Sequence, residues 1–185
     1  MQYFSVFGFT GSRSLPVEEK KQIFKIARFA YRFGVRALVG CAPGSDAAVR
    51  TAHPAAEVFR VSSGVWGGGS GAYARRSIAM VIHLAGLDLP VMVGAPGRAC
   101  PRGLVPSSDS WACFSGRGSG SWASLALAVG FKVPVIVIGL GPGDLPAWPG
   151  QWRRLRASDP ETLQGLVFKG AWRFCPGDPP QLPLP

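Results

Sequence analysis

The chain has 185 residues, 47% of them apolar and 16% charged, which suits one domain with a short appendage and is too short for two full domains. No run of about 18 apolar residues occurs, so no membrane span is expected, and the four cysteines (Cys41, Cys100, Cys113 and Cys175) form no CxxC pair, which argues against a zinc site or a disulfide scaffold. Twenty basic residues against ten acidic ones give a net charge of +10, which favours a polyanionic partner such as nucleic acid or a nucleotide without choosing between them.

The start of the chain has no basic segment ahead of an apolar one, so no signal peptide is expected and the cytoplasm is the expected location. Tyr3 to Phe9 reads as an aromatic-rich first strand that ends at Thr10-Gly11-Ser12-Arg13. Pro16 opens a helix to about Phe33, with Ile23, Ile26, Ala27, Ala30 and Tyr31 on one face and Gly34 as its cap. Val35 to Val39 is a second strand, and the turn from Gly40 to Asp46 enters a short helix through Ala52. Strand, helix, strand, helix is the order of an open, mainly parallel sheet with right-handed crossovers.

Glu57 to Val61 is a third strand, and Ser62 to Gly71 is a loop with five glycines and Trp66. The helix from Ala72 to about Leu84 carries Arg75 and Arg76 near its start, where cations oppose the dipole; a bound anion would explain them. Leu87 to Val93 contains Pro90 and is expected to be at best an edge strand, followed by a loop over residues 94–109. Trp111 to Phe114 reads as a short buried strand, and Trp122, Leu125, Ala126 and Val129 recur at helical spacing. Val133 to Ile138 is the last core strand, with the core expected to end at Gly139. The division expected is therefore 1–140 for the domain and 141–185 for an extension packing on it, with Leu166 to Phe174 as an added edge strand bulged at Gly170 and a Pro-rich tail.

Three glycine turns then follow predicted strands: at Gly11, at Gly40 to Gly44 and at Gly116 to Gly120. In a parallel sheet such ends share one edge, where ligands bind. The third turn, Gly116-Arg117-Gly118-Ser119-Gly120-Ser121, leads into a helix whose first N–H groups suit an anion; the alternative is a turn that only reverses the chain. No Walker phosphate loop or dinucleotide fingerprint occurs. Arg13 suits a phosphate, or else pairs with a helix carboxylate. Asp46 suits either the helix dipole or a ribose or base contact. His53 and His83 have no partners for a triad or metal site and read as structural, and Cys41 as a packed thiol. Trp66 and Trp122 could stack on a base, although Trp122 at helical spacing suits a core.

These motifs, in this order, resemble the SLOG superfamily: Gly11-Ser12-Arg13; Gly40-x-x-x-Gly44-Ser45-Asp46; Ala74-Arg75-Arg76-Ser77 with Met80; and Gly118-Ser119-Gly120-Ser121 before Ala128 and Pro134-Val135. That superfamily includes the DNA-processing protein DprA, the LOG phosphoribohydrolases and the YspA-like proteins, the last being the nearest in pattern. The resemblance spans about residues 3–139 and implies a Rossmann-like sheet with helices on both faces that binds a nucleotide or related phosphorylated small molecule. By position, Gly11, Ser12 and Arg13 would line the pocket, Gly44 and Asp46 would shape its floor, Arg75 or Arg76 would face the ligand, and Gly118, Gly120 and Ser121 would hold phosphate. Gly40, Ser45 and Ser119 complete the expected ligand-binding set. LOG enzymes carry a catalytic glutamate where this chain has Ser124, so the carboxylate of that mechanism is missing.

A nucleotide sensor or sequestering protein is the first expectation, homo-oligomeric by resemblance, with no cofactor, metal or membrane partner. The alternative is a DprA-like protein that binds single-stranded DNA, motivated by the charge and by Arg153, Arg154 and Arg156. A third expectation is a hydrolase using another carboxylate, for which Asp46 and Asp109 are the candidates.

Overall fold

An extended run of alternating bulky residues presents two different faces, and the first strand shows this directly. In the computed structural model, which describes residues 4–69, 71–116, 119–156, 168 and 170–176, strand β1 (Val6–Gly11) sends Phe7 and Phe9 into one hydrophobic layer and Val6 into the other. Helix α1 (Val17–Arg32) has Glu18 and Glu19 in its first turn, where the dipole favours them, and buries Ile23, Ile26, Ala27 and Ala30. Tyr31, expected on that face, is 42% exposed and meets the ring of His53 edge-on.

The chain continues through β2 (Arg36–Gly40), α2 (Ser45–Ala52), β3 (Glu57–Phe59), α3 (Gly71–Ala85) and β4 (Pro90–Ala95). It then forms α4 (Ser110–Cys113), α5 (Gly120–Gly130), β5 (Val135–Val137), β6 (Gly150–Arg154) and β7 (Trp172–Pro176). Among the described residues seven strands form one sheet in the order β3-β2-β1-β4-β5-β7-β6. The first five pair in parallel, and β7 runs antiparallel to both β5 and β6. The protein is thus α/β, with a mixed, mostly parallel sheet. Helices α1 and α2 pack with Phe7, Phe9, Val39 and Val93 on one face; α3 and α5 pack with Leu38, Met92, Val135 and Val137 on the other. No described helix is long and apolar enough to cross a membrane.

Several expectations change. Trp111 to Phe114 is not a strand: Asp109 accepts a hydrogen bond from the Trp111 N–H and caps α4, so the run turns, burying Cys113 and leaving Trp111 82% exposed. The segment containing Pro90 is not an edge strand, since β4 lies between β1 and β5. Pro90 occupies its first position, where the missing N–H costs least, and Val91, Met92 and Val93 are fully buried.

Nor does the core stop at Gly139. Trp148, Leu155, Phe168 and Phe174 are buried, and Trp148 and Trp152 pack against Phe174. The expected last edge strand is β7, an interior strand, with β6 outside it; Gly170 lies in the turn before β7 rather than in a bulge. The remainder of that expected segment (166, 167 and 169) and the tail from 177 to 185 lie outside the described residues.

Candidate functional site

Parallel strands end on one edge of a sheet, and a gap opens where crossovers leave in opposite directions. Here the chain passes from β1 to β2 and β3 on one side and returns to β4 and β5 on the other, so the reversal falls between β1 and β4. A cleft of about 620 Å³ opens at that point. Thr10 to Ser14 enter it from β1, Pro96 to Arg98 from β4, Ala42 and Asp46 from the β2–α2 connection, Tyr73, Arg76 and Met80 from α3, and Ser119 to Ser121 from the start of α5.

The backbone of Ser12 ties three of these segments together. Its N–H donates to the Ala95 carbonyl at 2.8 Å, and its carbonyl accepts from the Ser45 N–H at 3.0 Å. Gly44 makes that approach possible: it has φ +74°, and a Cβ there would run into the backbone of Ser12 and Arg13. Arg50 holds the second loop from behind, donating from Nη1 to the carbonyls of Gly40 and Ala42 at 2.8 and 3.1 Å.

Arg76 and Asp46 form the floor. Arg76 Nη1 donates to Asp46 Oδ2 at 3.3 Å, and that oxygen also accepts from the Ala42 N–H at 3.1 Å. Burial pushes the Asp46 carboxyl above its ordinary range, while Arg76, the Ala42 N–H and Arg50 pull it down. Arg76 Nε is buried and has no hydrogen-bond partner among the described residues. At the rim the Arg13 guanidinium lies over the Tyr73 ring, 4.7 Å from its centroid, and among the described residues it makes no ion pair.

The opposite wall is the N-terminus of α5. Ser119 caps it by accepting from the Trp122 N–H at 3.4 Å, and the first-turn N–H groups lie at the positive end of an 11-residue helix. Among the lining residues three arginines (Arg13, Arg76 and Arg98) stand against one carboxylate, Asp46.

Of the residues expected from sequence, Gly11, Ser12, Arg13, Asp46, Arg76, Ser119, Gly120 and Ser121 meet in this cleft. Gly40, Gly44, Ser45 and Arg75 do not line it. Gly40 lies so close under the Arg76–Asp46 pair that a Cβ would fall on the guanidinium, and Ser45 is fully buried behind Gly11. Arg75 turns away: its Nε donates to the Trp66 carbonyl at 2.6 Å and Nη2 to that of Gly68 at 3.2 Å, pinning the glycine-rich loop. Gly118 lies outside the described residues. The third glycine turn follows helix α4, not a strand, and reaches the cleft through α5.

Sequence reasoning missed Tyr73, Pro96, Gly97, Arg98 and Phe114 as lining residues. The Pro96-Gly97 dipeptide carries a turn signal, and a central β4 is what brings that turn to the cleft. Trp122 is fully buried, donating from Nε1 to the Arg98 carbonyl at 2.8 Å, so it shapes the β4 loop from within the core. Trp66 packs on Phe59 and does not line the cleft. His53 is buried with Nε2 2.9 Å from the Val35 carbonyl, and Cys41 Sγ accepts from the Val61 N–H.

No protein-family model matches the chain, and the curated proteins contain no match to it. The arrangement gathers guanidinium groups and the first-turn N–H groups of α5 around one cleft, a setting that favours negative charge. Ser124 is fully buried with its hydroxyl donated to the Gly120 carbonyl at 2.9 Å, and Asp109 is engaged as the α4 cap outside the cleft.

Proposed function

We propose that this cleft binds a nucleotide or a nucleotide-derived phosphorylated small molecule, and that the protein is a sensor or sequestering member of the SLOG superfamily, nearest its YspA-like branch. The supporting observation is the convergence at the β1–β4 gap of the α5 N-terminus with Arg13, Arg76 and Arg98 around a single carboxylate. Phosphate belongs against Ser119 to Ser121, where helix N–H groups and guanidinium groups both favour negative charge. Tyr73, Met80 and Phe114 supply apolar wall for a ribose or base. The parallel strand order with helices on both faces supports a Rossmann-like sheet, and the resemblance further implies a homo-oligomer.

Thermal melting against adenosine monophosphate, ADP-ribose and ribose 5-phosphate tests this reading. A ligand at about a hundred times its Kd adds about 2.7 kcal/mol, or roughly 5–10 °C for a chain of this size. Arg13→Ala removes the shift. Identical melting of the wild type with and without every member of the panel refutes the proposal.

A second reading, single-stranded DNA binding, is favoured by Arg153 and Arg154, which are exposed on the outermost strand β6. Its signature is binding that weakens steeply with salt. A gel shift with no retarded band at low salt removes it.

A further inference from the structure

A second depression lies on the other side of the fold from α3 and α5. It runs between α1 and α2, measures about 570 Å³ and shares no lining residue with the cleft. Its floor and walls are alkyl and aromatic: Val17 is 68% exposed and Phe24 39%, beside Ala47 and Ala48. Thr51 spends its hydroxyl on the Ala47 carbonyl at 3.0 Å, so the α2 wall offers carbon surface. The rim is basic. Lys20, Lys21 and Lys25 all border it; Lys21 is paired with Glu18 at 2.7 Å, whereas Lys20 and Lys25 make no ion pair among the described residues. Arg28 and Arg32 are exposed one and two turns further along α1.

We infer that this groove docks an acidic peptide segment of a partner protein, seating one or two bulky apolar side chains on Phe24, Val17 and Ala48 with carboxylates against Lys20, Lys21 and Lys25. The two properties of the surface select this occupant together. An apolar floor gains from burying a hydrocarbon side chain, which a sugar-phosphate backbone does not supply. A lysine rim raises the encounter rate and the specificity for carboxylates. A second copy of this chain is disfavoured, because a symmetric contact would bring the same lysines together in a protein of net charge +10.

The test is selection of a random peptide display library on the immobilised full chain, followed by titration of synthesised winners by fluorescence anisotropy. Winners should carry Asp or Glu flanking Leu, Ile, Phe or Trp, and their affinity should fall with salt. Phe24→Ser and Lys25→Glu should each weaken them by about tenfold or more, while Arg13→Ala leaves them unchanged. Both groove positions are exposed, and circular dichroism verifies that the variants are folded. The inference is overturned if no peptide is selected, if the winners lack an acidic bias, or if the two groove variants bind them as the wild type does. It is equally overturned if phosphatidylglycerol vesicles sediment the protein through these residues while acidic peptides do not bind. Sedimentation showing a dimer that Phe24→Ser dissolves assigns the groove to a second copy and also overturns it.

Discussion

Arg76 Nη1 and Asp46 Oδ2 lie 3.3 Å apart with both side chains only 7% exposed, so an ion pair nearly out of reach of water ties α3 to the start of α2 beneath the cleft. Removing one member leaves the other charge buried and unanswered, a larger loss than the pair itself is worth. Arg76→Met is therefore expected to cost about 3–5 kcal/mol of stability, read as a lower urea midpoint. A double variant, Asp46→Asn with Arg76→Met, should recover part of that loss. An unchanged midpoint in the single variant would show that the pair contributes nothing.

Burial of the same carboxyl sets a pH dependence, which Arg76 opposes. Burial raises the folded-state pKa of Asp46 above its ordinary value of 3.8, so the folded state holds the proton more tightly than the unfolded chain. That contribution is fully present below 3.8 and is lost as pH rises through the folded value. The stability of the wild type relative to Asp46→Asn should thus fall as pH rises from 3.8 and level off above the folded value. Denaturant titrations of both proteins at several pH values measure it, and a difference that grows with pH would reverse the sign.

Two tryptophans eleven positions apart should respond in opposite ways. Trp122 is fully buried, packs edge-on against Trp148 and Trp152, and holds the Arg98 carbonyl. Trp122→Ala is expected to cost about 3–5 kcal/mol. Trp111 is 82% exposed on α4, so Trp111→Ser should change stability by no more than about 0.5 kcal/mol. Paired chemical denaturation curves decide; a large loss at Trp111 would mean that residues 110–114 pack as a buried strand after all.

Lys132 has φ +62°, the left-handed conformation, where α5 ends and the Val133 N–H reaches back to the Ala128 carbonyl at 2.9 Å. A side chain at that dihedral is strained and glycine is not. Lys132→Gly should raise stability by about 0.5–1 kcal/mol, seen as a Tm higher by roughly 1–4 °C. A lower Tm would locate compensating contacts in the lysine side chain.

The first half of the fold was legible because its signals are local. Pro16, the two glutamates after it and the spacing of Ile23, Ile26, Ala27 and Ala30 specify a helix whatever lies opposite, and glycine turns at the ends of β1 and β2 mark the sheet edge where the cleft opens. The readings that changed were those where local pattern leaves two outcomes open. Four consecutive apolar residues suit a strand or one helical turn, and Asp109 capping chose the turn. Arg75 and Arg76 are neighbours in a helix, so one faces the sheet and the other does not, and nothing in the dipeptide says which.

The sequence by itself determined the α/β class, the position of most helices and the glycine turns that follow β1 and β2, since propensity, periodicity and glycine placement act within a few residues. Only the tertiary structure decided that β4 is central, that β6 and β7 complete the sheet, and that Arg76 rather than Arg75 joins Asp46 under the cleft. Those outcomes depend on which distant segments bury each other's surface, a competition between long-range contacts that no window of neighbouring residues contains.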